Sequence, residues 1–278
     1  MKKVLLCIMD GVGIRDNSVW NAYLNANTKT LDNLMETYPH TYLEASGEFV
    51  GLPHGQMGNS EVGHSTIGSG RVIYQSLEKI NKSIADGSFY QNKALLSAIN
   101  HAKENHSNLH LIGLLSDGGI HSHINHLYSL LNLCTKENFS NVYIHVITDG
   151  RDTAPNSGIN YIKQLEAYLE KIKVGQIATV CGRYYMMDRD NNYERVKLAY
   201  DMLTKGTAKK YSSPETAWQD NQDNGITDEF IKPSIINESG KILDNDAVIT
   251  FNFRPDRLRE LYTCLTNKEI DYFERIIP

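Results

Sequence analysis

Cysteine is scarce in this chain of 278 residues. Cys7, Cys134, Cys181 and Cys264 are scattered without paired spacing, which argues against a disulfide framework and for reduced thiols in a cytoplasmic protein. Cys7 and Cys181 sit in apolar, strand-like runs and are expected to be buried. No apolar stretch is long enough to cross a membrane. The amino terminus runs directly into a strand pattern, with no signal-peptide hydrophobic region or cleavage site. Lys and Arg total 28 against 33 Asp and Glu, for a net charge of −5, and no Lys/Arg-rich run occurs. A basic surface for nucleic acid is therefore excluded. Repeats and low-complexity tracts are absent as well.

What is present is an alternation. The hydrophobic share of 41% with 22% charged residues is ordinary for a globular protein, and the length allows two domains. Lys3 to Met9 is a short apolar run typical of a buried strand, and Tyr42 to Ala45 is a second strand candidate. Leu31, Leu34 and Met35 form a helical stripe, and another helix is expected near Ser76 to Ala85. Strands are then predicted at Leu109–Leu115, Val142–Ile147, Val174–Val180 and Ala247–Phe251. Helical spacing separates them: Ile124 to Cys134, Ile159 to Leu169 and Tyr193 to Leu203. Residues 205 to 245 are polar, with a short helix expected over Pro214–Gln222. Strands alternating with helices imply a parallel sheet covered on both faces.

The polar motifs follow the strands. Asp10 closes the first run, and Asp117 to His121, Asp149 to Asp152, Arg183 and Arg254 each follow a later one. Open α/β sheets bind ligands at that edge. Arg183, Arg189, Arg254 and Arg257 each carry a planar fork that grips a phosphate or carboxylate at two points; the ordinary fate of any one of them alone is a surface salt bridge. Gly55-Gln56-Met57-Gly58-Asn59-Ser60-Glu61-Val62-Gly63-His64 reads into a helix. Ser60 there has its hydroxyl at a helix N-terminus, where negative charge is favoured. The competing reading is a glycine-rich turn with an N-cap serine. Asp10 has the chemistry to hold a divalent metal, and a metal would activate Ser60; a turn or cap residue is the competing reading there.

Ile8-Met9-Asp10-Gly11-Val12-Gly13 and Gly55 to His64 resemble the opening motifs of the cofactor-independent (2,3-bisphosphoglycerate-independent) phosphoglycerate mutases, members of the alkaline phosphatase superfamily. Leu115 to His123, Thr148-Asp149-Gly150-Arg151-Asp152-Thr153, Gly182 to Asp190 and Phe251 to Arg257 match further motifs, in order and over nearly the whole chain. The resemblance implies an α/β chain in two parts. Residues 1–75 would be the N-terminal piece of an alkaline-phosphatase-like domain, and 76–278 a parallel-sheet, transferase-like substrate domain.

By the same resemblance the reaction interconverts 3-phosphoglycerate and 2-phosphoglycerate through a phosphoserine at Ser60, without 2,3-bisphosphoglycerate. Asp152 moves protons on the glycerate hydroxyls. His121 and Arg151 bind substrate, Arg183 and Arg189 orient the glycerate end, and Arg254 and Arg257 hold phosphate. Asp10 and Ser60 are metal ligands for Mn²⁺ or Mg²⁺, two ions serving the intact family enzyme. His64 is read as a support for Ser60, His123 and His126 as structural, and Arg195 and Arg259 as solvated charges. Family members are roughly twice this long, and their later part supplies most of the metal ligands. The chain is therefore expected to lack a C-terminal portion, to be weakly active or inactive alone, and, in residues 1 to about 75, to be partly disordered or to expose an apolar face that promotes association. The alternatives are a non-catalytic phosphoglycerate-binding fragment and a related metal-dependent phosphatase.

Overall fold

A computed structural model describes residues 3–269 and 272–275. The chain divides into two compact units, Met1–Glu78 and Lys79–Pro278. In chain order the elements are helices α1 (Ala22–Asn25), α2 (Lys29–Thr37), α3 (Ser60–Ser69), α4 (Ser76–Asp86) and α5 (Lys93–Glu104), then β1 (Leu109–Leu114), α6 (Ile124–Lys136), β2 (Val142–Thr148), α7 (Gly158–Ile172) and β3 (Gln176–Gly182). They continue as α8 (Arg183–Met186), α9 (Tyr193–Lys205), β4 (Lys209–Lys210), α10 (Pro214–Asp223), β5 (Ser234–Ile235), β6 (Ala247–Thr250) and α11 (Arg259–Thr266).

The larger unit is a six-stranded sheet in the order β4-β5-β3-β2-β1-β6. Every pairing is parallel except β3 with β5, which is antiparallel. The wholly parallel sheet read from the alternation is corrected there: β5 is two residues long and lies inside the polar stretch that carried no strand signal. The long strands are apolar on both faces because helices cover both. Side chains alternate, so Leu109 and Leu111 join one core with α5, α6 and α7, while Ile112 and Leu114 join a second core with α9 and α11. His110 and His145, fully buried, form a chain across the sheet. His110 Nδ1 lies 2.9 Å from His145 Nε2, and His145 Nδ1 lies 2.9 Å from Thr179 Oγ1. Asp246 Oδ2 closes the other end, 3.0 Å from His110 Nε2.

Gly182 ends β3 at a point where the backbone of residues 229–231 crosses. A Cβ there would stand 2.4 Å from Glu229 O and 2.6 Å from Ile231 N. Both obstacles are main chain and cannot swing aside. Gly182→Ala is expected to cost about 1–3 kcal/mol by overpacking, measured by urea unfolding; a loss below about 0.5 kcal/mol would show that the crossing yields.

The smaller unit is built differently from expectation. No strand forms among its described residues. Lys3–Met9 and Tyr42–Ala45, expected as strands, carry no regular secondary structure. A strand needs a neighbour's N–H and C=O groups, and this unit offers no sheet to join. Val4 and Leu5 are accordingly 92% and 91% exposed, and Cys7 is exposed rather than buried. Cys181 is buried, as read. The unit's small core is Val50, Leu52 and Val62, which seats α3.

Candidate active site

In the smaller unit, Ser60 is the first residue of α3. Asn59 caps that helix, its Oδ1 accepting from Val62 N at 3.1 Å. The cap is therefore Asn59, and the Ser60 hydroxyl is available for other work. It donates to Asp10 Oδ2 at 2.7 Å, with His64 Nδ1 3.2 Å away. His64 Nδ1 also lies 2.8 Å from the Ser60 carbonyl, so the imidazole braces the first turn. Asp10 itself sits in a turn. A hydroxyl paired with a carboxylate at a helix N-terminus has a proton acceptor beside it and a dipole that favours an anionic product.

The larger unit collects its motifs at the carboxyl edge of the sheet. Arg183 opens α8 directly after β3 and is buried. Its Nη1 donates to Asp149 Oδ1 and to Asp152 Oδ2, both at 2.7 Å. Asp149 follows β2 and is also buried. The same carboxylate accepts from Ser116 Oγ at 2.7 Å, Asp152 N at 3.0 Å and Arg151 N at 3.2 Å. One anion thus ties together the ends of three strands. Gly150, with φ +69°, lets this loop turn against Asp228, where a Cβ would meet Asp228 Cβ at 2.8 Å. Burial opposes the charge on Arg183, yet the hydrogen bonds it donates to Asp152 and Asp149 outweigh it and hold its pKa above the ordinary value.

His121 lies between two carboxylates. Its Nε2 is 3.9 Å from Asp152 Oδ2 and its Nδ1 is 3.9 Å from Asp256 Oδ1. Burial, then the positive field of Arg183, lowers its pKa, so the ring is neutral at physiological pH. Phe253 N donates to the His121 carbonyl at 2.8 Å, which ties the loop after β1 to the loop after β6. That second loop carries Arg254, Asp256 and Arg257. Asp256 Oδ2 accepts from Arg189 Nη1 at 3.0 Å, and Arg254 Nε stands 3.9 Å from Asp256 Oδ1. Arg257 Nη1 reaches the Met187 carbonyl at 3.3 Å. Its pKa is lowered by burial and by the charges of Arg189, Arg183 and Arg151. Arg151 pairs with Glu229 at 3.5 Å. Buried polar atoms without a partner include His121 Nδ1, Asp256 Oδ1 and Arg257 Nε. Buried polar atoms of this kind call for a ligand or water to complete them.

The family model for the BPG-independent PGAM N-terminus matches residues 80–278. The chain belongs to this family. It is 52% identical over 278 residues to the 2,3-bisphosphoglycerate-independent phosphoglycerate mutase of Clostridium perfringens (strain 13 / Type A), covering 99% of this chain and 54% of that protein. The mutase of the same name from Clostridioides difficile (strain 630) is 49% identical over 278 residues, with the same coverage. A crystal structure of Leishmania mexicana phosphoglycerate mutase, obtained at low cobalt concentration, superposes with a TM-score of 0.76 at 33% identity, covering 91% of this chain and 49% of that one. The chain spans about half the length of the curated relatives it matches.

For this mutase-family chain, the structure brings His121, Asp152, Arg183, Arg189, Arg254 and Arg257 into one connected set, with Arg151 on the same loop as Asp152. Asp10 and Ser60 are paired in the smaller unit. Asp149 and Asp256 were not singled out from the sequence, although each lies inside a quoted motif. The available signal was position: an acid at the end of a strand, or one between two arginines. Arg195 is corrected: rather than a solvated charge, its guanidinium stacks 4.0 Å above the Tyr184 ring and bonds Asp188 at 3.3 Å. His123 caps α6, accepting from Asn125 N at 3.2 Å.

Proposed function

We propose that this chain is the N-terminal part of a cytoplasmic enzyme that interconverts 3-phosphoglycerate and 2-phosphoglycerate through a phosphoserine at Ser60. On this reading the smaller unit belongs to a phosphatase-like domain and the larger one is the transferase-like substrate domain. The observation that carries it is the set of five arginines gathered with Asp152 and His121 at one sheet edge. A small acid with a phosphate at one end and a carboxylate at the other needs two such grips.

Ser60 Oγ, its proton directed to Asp10, takes the phosphoryl group. Arg254 and Arg257 hold phosphate while Arg151, Arg183 and Arg189 hold the glycerate end. Asp152, kept in place by Arg183, carries the proton of the glycerate hydroxyl. Holding the glycerate between the two halves makes the second transfer intramolecular, which separates a mutase from a phosphatase. No 2,3-bisphosphoglycerate takes part. Mn²⁺ or Mg²⁺ would supply charge neutralisation at the transferring phosphoryl group. Asp10 and Ser60 offer two oxygen donors, and such ions take about six; among the described residues no group of three or more His, Cys, Asp or Glu gathers to hold one. These two donors alone do not make a metal site.

That shortfall favours a second reading for the chain on its own, in which it binds phosphoglycerate and turns over little or none. Following 2-phosphoglycerate formation by phosphorus NMR, with Mn²⁺ present, tests both. Any turnover in the wild-type chain is expected to vanish in Ser60→Ala while 3-phosphoglycerate binding persists. Equal turnover in Ser60→Ala would overturn the phosphoserine route.

A further inference from the structure

Arg189 and Arg254 come from different strand ends, yet both point their charge at Asp256. Arg189 makes the one hydrogen bond, at 3.0 Å to Oδ2. The other oxygen, Oδ1, is buried without a hydrogen-bond partner and lies 3.9 Å from both Arg254 Nε and His121 Nδ1. The carboxylate therefore sits where an anionic ligand would sit, in a coordination shell only half complete. A buried carboxylate oxygen without a donor is costly, so this arrangement yields readily to an anion of better geometry.

We propose that Asp256 is an internal counter-anion that an incoming anion must displace from Arg189 and Arg254, and that it thereby sets how tightly this edge holds anions. The inference rests on the phosphoglycerate reading above. The incoming anion and the Asp256 carboxylate compete for the same two guanidinium groups. An anion at Arg254 displaces only the 3.9 Å contact, whereas an acid that also takes Arg189 breaks the 3.0 Å hydrogen bond as well. Each displacement leaves the Asp256 carboxylate with less compensation than before. Asp256 thus lowers the affinity of this edge for anions, and lowers it at least as much for a doubly ended acid as for inorganic phosphate. A residue that merely props up the loop would have the opposite signature, because its loss would weaken all ligands together.

The test is calorimetric titration of the chain with inorganic phosphate and, separately, with 3-phosphoglycerate at low salt. Wild type is compared with Asp256→Asn and Asp256→Ser, and circular dichroism confirms their fold. Phosphate affinity is expected to rise about threefold to tenfold in both variants. Affinity for 3-phosphoglycerate is expected to rise by at least the same factor. Raising the ionic strength should shrink the difference. Phosphate affinity that is unchanged or reduced in folded variants overturns the inference. Failure of both variants to fold makes Asp256 a structural counter-ion and overturns it equally. Failure of the wild-type chain to bind 3-phosphoglycerate sinks the reading beneath it instead, which keeps the two failures apart.

Discussion

Replacing Arg183 by methionine is expected to cost about 3–5 kcal/mol of stability and to abolish 3-phosphoglycerate binding. The guanidinium is 3% exposed and lies between Asp149, 2% exposed, and Asp152, 16% exposed. Methionine fills much of the space and removes the full charge that, among the described residues, bonds the Asp149 carboxylate. That carboxylate still accepts from Ser116 and two backbone N–H groups, so it is not stripped bare, but it is a buried anion without a cation. Breaking such a pair from one side is far worse than removing both members. Arg183→Met combined with Asp149→Asn should therefore recover a substantial part of the stability, and the two changes should be strongly non-additive. Urea unfolding reads both. A single-variant loss below about 1 kcal/mol, or full additivity, would mean that the triad is solvated in solution and does not hold the loops.

Acid should unfold the chain well before its carboxylates titrate. His145, inside the sheet, is held well below the ordinary histidine value by burial and then by the adjacent His110. Burial, then His123, lowers His126 to about 4, and burial, then Arg183, lowers His121. In the unfolded chain all three titrate near 6.5. Below that pH the unfolded state takes up protons that the folded state refuses. Stability is thus fully present above about 6.5 and is lost as the pH falls toward 4. Each depressed histidine contributes up to about 1.4 kcal/mol per pH unit in that window. Glu166 runs the other way. Burial and the neighbouring Glu215 raise its carboxyl to about 7, so the folded state binds that proton first and, weakened by solvent screening, offsets part of the loss. Burial lowers His123 as well, so a net fall in stability is expected as the pH drops below about 6.5. His126→Gln, which retains a donor for Asn81 Oδ1 (now 2.9 Å from His126 Nε2), should flatten it by about 1.4 kcal/mol per pH unit. A stability that stays level between pH 6.5 and 4 would contradict the neutral, buried state of these rings.

The readability of the chain differed between its two units for a physical reason. In the larger unit, β1, β2, β3 and β6 and the helices between them are each specified locally: an apolar run of strand length, then apolar residues at helical spacing. Neighbouring repeats of that pattern supply each other's hydrogen bonds and cover, so local signal and global fold agree. Lys3 to Met9 carries as strong an apolar signal, but an apolar run states that it prefers burial, not what will bury it. With no strand among the described residues of that unit to pair with, the same residues form no regular structure and stay exposed. The arginines stood out because several of them recur just past strand ends within the matched motifs, although any one alone reads as a surface salt bridge. Asp149 and Asp256 did not, because an acid beside arginines in a motif reads as filler until the structure shows it bonding three loops, as Asp149 does, or bonded to Arg189, as Asp256 is. Arg195 was misread for a related reason: its partner Tyr184 is eleven positions back, and only the short helix α8 brings the ring beneath it.

Calorimetric titration of 3-phosphoglycerate into the chain with and without Mn²⁺ bears most directly on the claim that the sheet edge is an anion clamp. Saturable binding near one equivalent, retained in the absence of metal, weakened by salt and missing in Arg183→Met, is the predicted outcome. Absence of saturable heat at any salt concentration, or binding that appears only when Mn²⁺ is added, would show that the arginines gathered at the strand ends do not by themselves recognise the acid.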